Sequence, residues 1–174
     1  MILFTAFRIS EEAAEAAMHL QDVLRTRTPG SFPVRENLHV TVHYFGEQEA
    51  SAVRRIASVL NACPLPDTEF CFDHLVRFSG ARGDHLVYAA AENEALQAWR
   101  AQLSRCYAEA GFTFDEKPFL PHITLVRGKN GRIDTDGIEV PAVRFRPEPP
   151  VLLESLQIRG KRIYRPADAG KETQ

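Results

Sequence analysis

The chain has 174 residues, of which 44% are hydrophobic and 25% charged, with a formal charge of −2 and a pI of about 6.3. This supports one domain, or two small lobes sharing a core, and excludes a disordered, fibrous or coiled-coil chain. Without a basic excess, nucleic acid cannot be held by a broad positive field, so any RNA contact must come from a local site.

From the N-terminus, residues 2–9 are rich in β-branched and aromatic side chains and predict a strand. Ser10 offers an N-cap, Glu11 and Glu12 suit the positive end of a helix, and Ala13, Ala17, Leu20 and Leu24 recur at helical spacing until Pro29-Gly30. Residues 37–45 predict a second strand closed by Gly46. Residues 49–62 predict a second helix with Val53, Ile56, Ala57 and Leu60 on one face, ended by Pro64 and Pro66. Strands follow at 69–78 and 85–90 around a turn at 80–84. A third helix over 93–110 buries Leu96, Trp99, Leu103 and Cys106 and stops at Gly111. Residues 119–127 predict a strand, Lys129-Asn130-Gly131 a turn, and 140–145, 151–158 and 162–164 the last strands. The tail, 167–174, is polar and expected to fray. Strand pairs separated by helices predict an α+β fold with helices packed outside, and no linker frees a second domain.

Cys63, Cys71 and Cys106 are odd in number and lack C-x-x-C spacing, so they read as reduced structural thiols rather than a disulfide framework or zinc knuckle. No apolar run approaches a membrane span, and Met1-Ile2-Leu3-Phe4 is too short for a signal-peptide core. The expectation is a cytoplasmic monomer that contacts no membrane.

The informative feature is a repeat. Leu38-His39-Val40-Thr41-Val42 and Pro121-His122-Ile123-Thr124-Leu125 share one pattern, 83 positions apart. Six His and nine Thr in this length give about 0.3 His-x-Thr triplets by chance, so two with matching apolar flanks stand above the background of a short motif. On a strand, residues i and i+2 share a face, so each His projects beside its Thr while the intervening residues turn to the core. Were the strands neighbours in a duplicated fold, two imidazoles and two hydroxyls would line one pocket. One neutral imidazole can accept a proton, one protonated imidazole can donate one, and hydroxyls can bind phosphate oxygens without a metal.

At these residues the chain resembles the 2H phosphoesterase superfamily, and within it the RNA 2′,3′-cyclic phosphodiesterases historically called 2′–5′ RNA ligases. The resemblance covers Leu3-Phe4-Thr5-Ala6, the run from Glu36 to Val42 closing at Gly46, and the run from Pro118 to Arg127; Ser155-Leu156, Gly160 and Tyr164 match more loosely. It implies a bilobal, duplicated α+β fold over residues 1–166, with two mostly antiparallel sheets around a central cleft. It also implies His39 as general acid on the 3′-oxygen, His122 as general base on water, Thr41 and Thr124 on the phosphate, and a 2′-phosphate product. The partner implied is RNA with a 2′,3′-cyclic phosphate end, or a cyclic nucleotide, with no cofactor and no metal.

Arg127 matches a family arginine that contacts phosphate or base, but its parity from His122 is odd, so it reaches the cleft only where the strand ends or bulges. His43 shares parity with His39 and is a candidate flank of the site, against the plain reading of an exposed strand-end histidine. Tyr44, Phe7 and Phe119 are candidates for stacking on a base, against core packing. Departures from the family at His43, Tyr44 and Leu120 bear on specificity. A zinc site from His39, His43 and His122 lacks a supporting carboxylate or cysteine. Arg159, Lys161, Arg162 and Arg165 read either as a solvated hairpin edge or as a phosphate-contacting rim. Hydrolysis of a cyclic phosphate, ATP-independent reversible 2′–5′ joining of RNA ends that carry a cyclic phosphate and a 5′-hydroxyl, and a non-catalytic RNA-end binder are the readings weighed; no ATP-binding G-x-x-x-x-G-K-[ST] loop is present.

Overall fold

Each His-x-Thr motif lies at the start of a strand in a sheet of its own, His39 one residue before its strand and His122 the first residue of its own. The computed structural model describes residues 1–81, 83–168 and 170. In chain order the elements are β1 (Ile2–Phe7), α1 (Glu11–Arg25), β2 (Gly30–Ser31), a 3-10 turn (Arg35–Asn37), β3 (Val40–Glu47), α2 (Ala50–Ala62), β4 (Phe70–Gly80), β5 (Gly83–Ala90), α3 (Glu94–Glu109), β6 (His122–Gly128), β7 (Val143–Phe145), β8 (Val151–Ile158) and β9 (Lys161–Pro166). One sheet runs β3-β1-β8-β9 and the other β2-β6-β5-β4-β7, antiparallel throughout. Setting β2 aside, the orders correspond: the histidine strand lies beside the strand that precedes its helix, as β3 beside β1 and β6 beside β5.

The duplication extends past the motifs. Ser10 caps α1 by accepting from the backbone N–H of Ala13, and Asn93 caps α3 by accepting from Leu96, so the caps keep the same 83-residue offset as the histidines. Each helix then packs against the histidine strand of the opposite half. Helix α1 lies on β6 and β7, while Arg100, Ser104 and Tyr107 of α3 reach β3. The buried face of α1 is Ala13, Ala14, Ala17, Leu20, Gln21 and Leu24. Burying a leucine there contributes about 1.5–3 kcal/mol, and truncating Leu20 to alanine would cost about 2–5 kcal/mol.

Several boundaries differ from the sequence reading for local reasons. Pro121 has no N–H to give the ladder, and β6 starts at His122 rather than residue 119. Pro141 likewise lies outside the shortened β7. Asn37 belongs to the 3-10 turn, so β3 begins at Val40. Tyr107, not Cys106, takes the last core position of α3, and Cys106 is half-buried. The two-residue strand β2 has no sequence signal. Of the polar tail, residues 169 and 171–174 lie outside the described residues. No helix among the described residues is long and apolar enough to cross a membrane.

Candidate active site

Bulges decide which side chains face the cleft. Between β1 and β3, Thr5 pairs with His43 and Ala6 with Thr41, leaving Val42 as an extra residue. Between β5 and β6, Leu86 pairs with Val126 and Val87 with Thr124, leaving Leu125 extra. Both bulges fall three residues after the motif histidine, and each reverses the side-chain alternation beyond it.

The reversal meets the condition set for Arg127 and overturns the expectation for His43. Arg127, odd in parity from His122, is turned onto the same face as His122 and Thr124, where it lines one crevice with His39 and Thr124. His43, even in parity from His39, is turned into the core instead. Its Nε2–H donates to Ser104 Oγ at 2.8 Å, because the Ser104 hydroxyl is committed to the Arg100 carbonyl. Its Nδ1 is buried without a partner, and Tyr107 and Phe114 pack edge-on against the ring. His43 does not flank the site, and the trio His39, His43 and His122 is not assembled as a zinc site. Tyr44 occupies the position equivalent to Arg127: it pairs with Phe4 on the cleft face and is 45% exposed.

A bulged carbonyl loses its ladder partner, and here each is met from the crossing helix. Gln21 of α1, fully buried, donates through Nε2 to Leu125 O at 3.0 Å and Pro33 O at 2.9 Å. Arg100 of α3 donates to Val42 O at 3.4 Å. Gln21 was missed in the sequence, where a polar residue beside Leu20 on an otherwise apolar face was its only signal.

The two imidazoles are held alike. His39 Nδ1 lies 2.7 Å from the carbonyl of Asn37 and His122 Nδ1 2.6 Å from that of Leu120, each two residues back. A carbonyl can only accept, so each Nδ1 carries the proton and each Nε2 presents a lone pair in the neutral ring. His39 Nε2 is 2.9 Å from Thr41 Oγ1, while no hydrogen bond reaches His122 Nε2 among the described residues. Phe4 and Tyr164 pack on His39 at 5.2 and 5.1 Å, and Phe78 stands edge-on to His122 at 5.8 Å. From the sequence, Phe4 and Tyr164 entered only through the family resemblance, and Phe78 only as the end of a strand.

Both histidines titrate below the ordinary value. Burial is the main cause for each; the backbone acceptors oppose it, and the Arg127 charge lowers both further. For His39 the charge of His122 also lowers the pKa, which places the rings within electrostatic reach of each other.

The other candidates scatter. Phe7 is fully buried against Phe70 and Trp99, and Phe119 lies under the Arg100 guanidinium at 5.5 Å, so neither is free to stack on a base. Arg165 pairs with the buried Glu154 at 3.1 Å, whereas Lys161 and Arg162 line a groove beside Arg127. Cys63, Cys71 and Cys106 are free thiols.

A family model of the 2′-5′ RNA ligase superfamily matches residues 10–137. An RNA 2′,3′-cyclic phosphodiesterase of Thermotoga maritima is 28% identical over 159 residues, covering 84% of each chain. Among solved structures, E. coli LigT in apo form shares the fold with a TM-score of 0.76 at 22% identity, covering 96% of this chain and 94% of that one. The protein TT0787 of Thermus thermophilus does so with a TM-score of 0.76 at 22% identity, covering 97% and 96%. E. coli LigT complexed with 3′-AMP gives a TM-score of 0.75 at 22% identity, covering 96% and 95%.

Proposed function

The chain belongs to the 2′-5′ RNA ligase superfamily, and from that premise we propose that it hydrolyses a 2′,3′-cyclic phosphate on RNA or a nucleotide to a 2′-phosphate, with residues 1–166 acting as one bilobal domain. The relative from Thermotoga maritima, named for this activity, supports the reading. The observation that carries it is the matched pair of imidazoles, each fixed through Nδ1–H to a carbonyl so that Nε2 is the reacting nitrogen.

Water attacks phosphorus as His122 Nε2 takes its proton; the P–O3′ bond breaks as protonated His39 delivers a proton from Nε2 to the leaving 3′-oxygen. The phosphate stays on O2′. The unengaged lone pair of His122 suits it to the base role. Thr41 and Thr124 donate hydrogen bonds to the non-bridging oxygens, and Arg127 balances the charge that builds in the transition state. This proton inventory closes without a metal. ATP-independent joining is the same attack with a 5′-hydroxyl in place of water, His122 still the base and His39 still the acid on the 3′-oxygen; only its reversal, cleavage of the 2′–5′ linkage back to the cyclic phosphate, exchanges the two roles.

The test is to incubate the protein with EDTA and 2′,3′-cyclic AMP, or a cyclic-phosphate-ended oligonucleotide, and identify the product isomer. A 2′-phosphate is expected, with a loss of about 10²–10⁴-fold for His39→Ala or His122→Ala. A protein that binds the RNA end and turns over neither substrate is a binder, and the proposal fails.

A further inference from the structure

We infer that the groove leading from the histidine crevice over the β8–β9 hairpin holds the single-stranded RNA lying 5′ to the cyclic phosphate, with Lys161 and Arg162 as its phosphate contacts; this rests on the phosphodiesterase reading above. The crevice shared by His39, Thr124 and Arg127 has room of about 20 Å³, enough for about one water. Pro33, Asn37, Arg127 and Tyr164 line both it and an adjoining groove of about 760 Å³, a size that encloses whole organic ligands. The bulk of any substrate whose phosphorus sits at the histidines has this place to go.

The groove is cationic on a chain whose net charge is −2. Arg127, Lys161 and Arg162 line it against Glu36 alone, and no carboxylate among the described residues is within ion-pair distance of these three cations. Their position is built, not incidental. In the β8–β9 register Arg162 stands opposite Gln157 and Tyr164 opposite Ser155, while Leu153 lies opposite Phe4, so Arg162 shares the face that carries Phe4 and Tyr164 around His39. Arg159 and Gly160, with φ of 49° and 76°, make the two-residue turn whose twist matches the strands. Asn37 Nδ2 donates to Arg162 O at 2.8 Å, tying the hairpin to the segment that enters His39.

The chemistry of the end fixes the direction. A 2′,3′-cyclic phosphate closes the 3′ side of the last ribose, so the polymer continues only from its 5′-oxygen, with one negative charge per phosphate. A free cyclic nucleotide carries none of those phosphates and leaves the groove empty. Cations unpaired by protein and contiguous with the reacting centre suit that charged flank.

The experiment compares kcat/KM on 2′,3′-cyclic AMP with that on a short oligoadenylate ending in a 2′,3′-cyclic phosphate, for wild type and the double variant Lys161→Ala, Arg162→Ala. Wild type is expected to favour the oligonucleotide at least tenfold, and the variant to bring that ratio close to one. The salt dependence of the oligonucleotide reaction should become shallower by about 1.4 in log–log slope, from two lost phosphate contacts at about 0.7 each. A wild-type ratio near one, or a variant that slows both substrates equally, overturns the inference. Should the variant misfold, the wild type alone decides: a steeper salt slope for the oligonucleotide than for the mononucleotide supports the groove, and equal slopes refute it. If neither substrate is turned over, the hydrolytic reading fails, and the groove is judged by anisotropy of a labelled oligonucleotide, whose equal binding by wild type and variant would exclude it.

Discussion

Gln21→Leu tests the link from helix to bulge to active-site charge. Leucine approximates the glutamine's volume but cannot donate to Leu125 O or Pro33 O. A carbonyl left unmade in the interior costs about 1–3 kcal/mol; the bond to Leu125 is buried and that to Pro33 part-buried, so the sum is about 2–4 kcal/mol. At about 2–4 °C per kcal/mol for a chain of this size, the melting temperature should fall by about 5–15 °C. The functional consequence is more specific. The Leu125 bulge is what turns Arg127 into the cleft, and Arg127 lowers the pKa of both His39 and His122. If the bulge relaxes, the acidic limb of the pH–rate profile should move upward, as it should in Arg127→Ala. Steady-state kinetics from pH 4 to 9 on wild type, both single variants and the double variant reads this out, with Gln21→Leu adding no further pH shift to Arg127→Ala. A Gln21→Leu enzyme that melts early yet keeps the wild-type kcat/KM and pH profile would show that Arg127 does not depend on this anchor.

Three further outcomes are expected. Because His39 and His122, the proposed acid and base, titrate below about 6.5 in the free protein, the singly protonated pair is most populated below that pH; kcat/KM should peak there and fall towards neutrality, while a bound phosphodiester anion should raise both values and push the kcat optimum upward, so a kcat/KM maximum above pH 7 refutes the assignment. His43 is held down to about 3 by burial and by the Arg100 charge, and a depressed histidine means the unfolded state takes the proton first: its stability contribution is complete above about pH 6.5 and lost as pH falls towards 3, by up to about 1.4 kcal/mol per unit. His43→Phe should therefore flatten the acid-unfolding curve measured by circular dichroism, and an unchanged slope would count against the account. A Cβ on Gly30 would meet Arg127 O and Val126 Cγ2 at 2.7 Å, so Gly30→Ala should pry β2 from β6, destabilise by about 1–3 kcal/mol and weaken substrate binding, visible as a raised KM.

The helices and most strands were legible because their signals are local: Ser10 and the 3.6-residue apolar spacing mark α1, and Asn93 marks the start of α3. The pairing of two distant motifs was legible because the repeat is written twice. Side-chain direction beyond the motifs was not. Strict alternation sends His43 into the cleft and Arg127 out of it, and both assignments reverse for one reason, an extra residue at Val42 and at Leu125. Neither valine nor leucine advertises a bulge. What holds them is tertiary, a glutamine and an arginine arriving from helices far along the chain. β2 is invisible for a similar reason, since two residues carry no periodicity and pair only because β6 offers its edge.

A duplicated fold presents two equivalent imidazoles, yet acid–base catalysis needs them unlike. The frame does not supply the difference, because backbone acceptor, bulge and threonine recur on both sides. The fifth residue after each histidine does differ, being Tyr44 in one half and Arg127 in the other. The tyrosine is neutral, whereas the arginine brings a fixed cation to a crevice that both motifs share. His39, wedged between Phe4 and Tyr164 with its Nε2 on Thr41, is the more enclosed partner in contacts, while His122 Nε2 is left open to receive a proton. Exchanging the fifth residues, Tyr44→Arg with Arg127→Tyr, keeps the composition of the site but moves its charge to the opposite half. If that asymmetry assigns the roles, the exchanged protein should retain phosphate affinity while its pH profile and kcat depart from wild type; an unaltered profile would mean that the imidazole surroundings, not Arg127, separate acid from base.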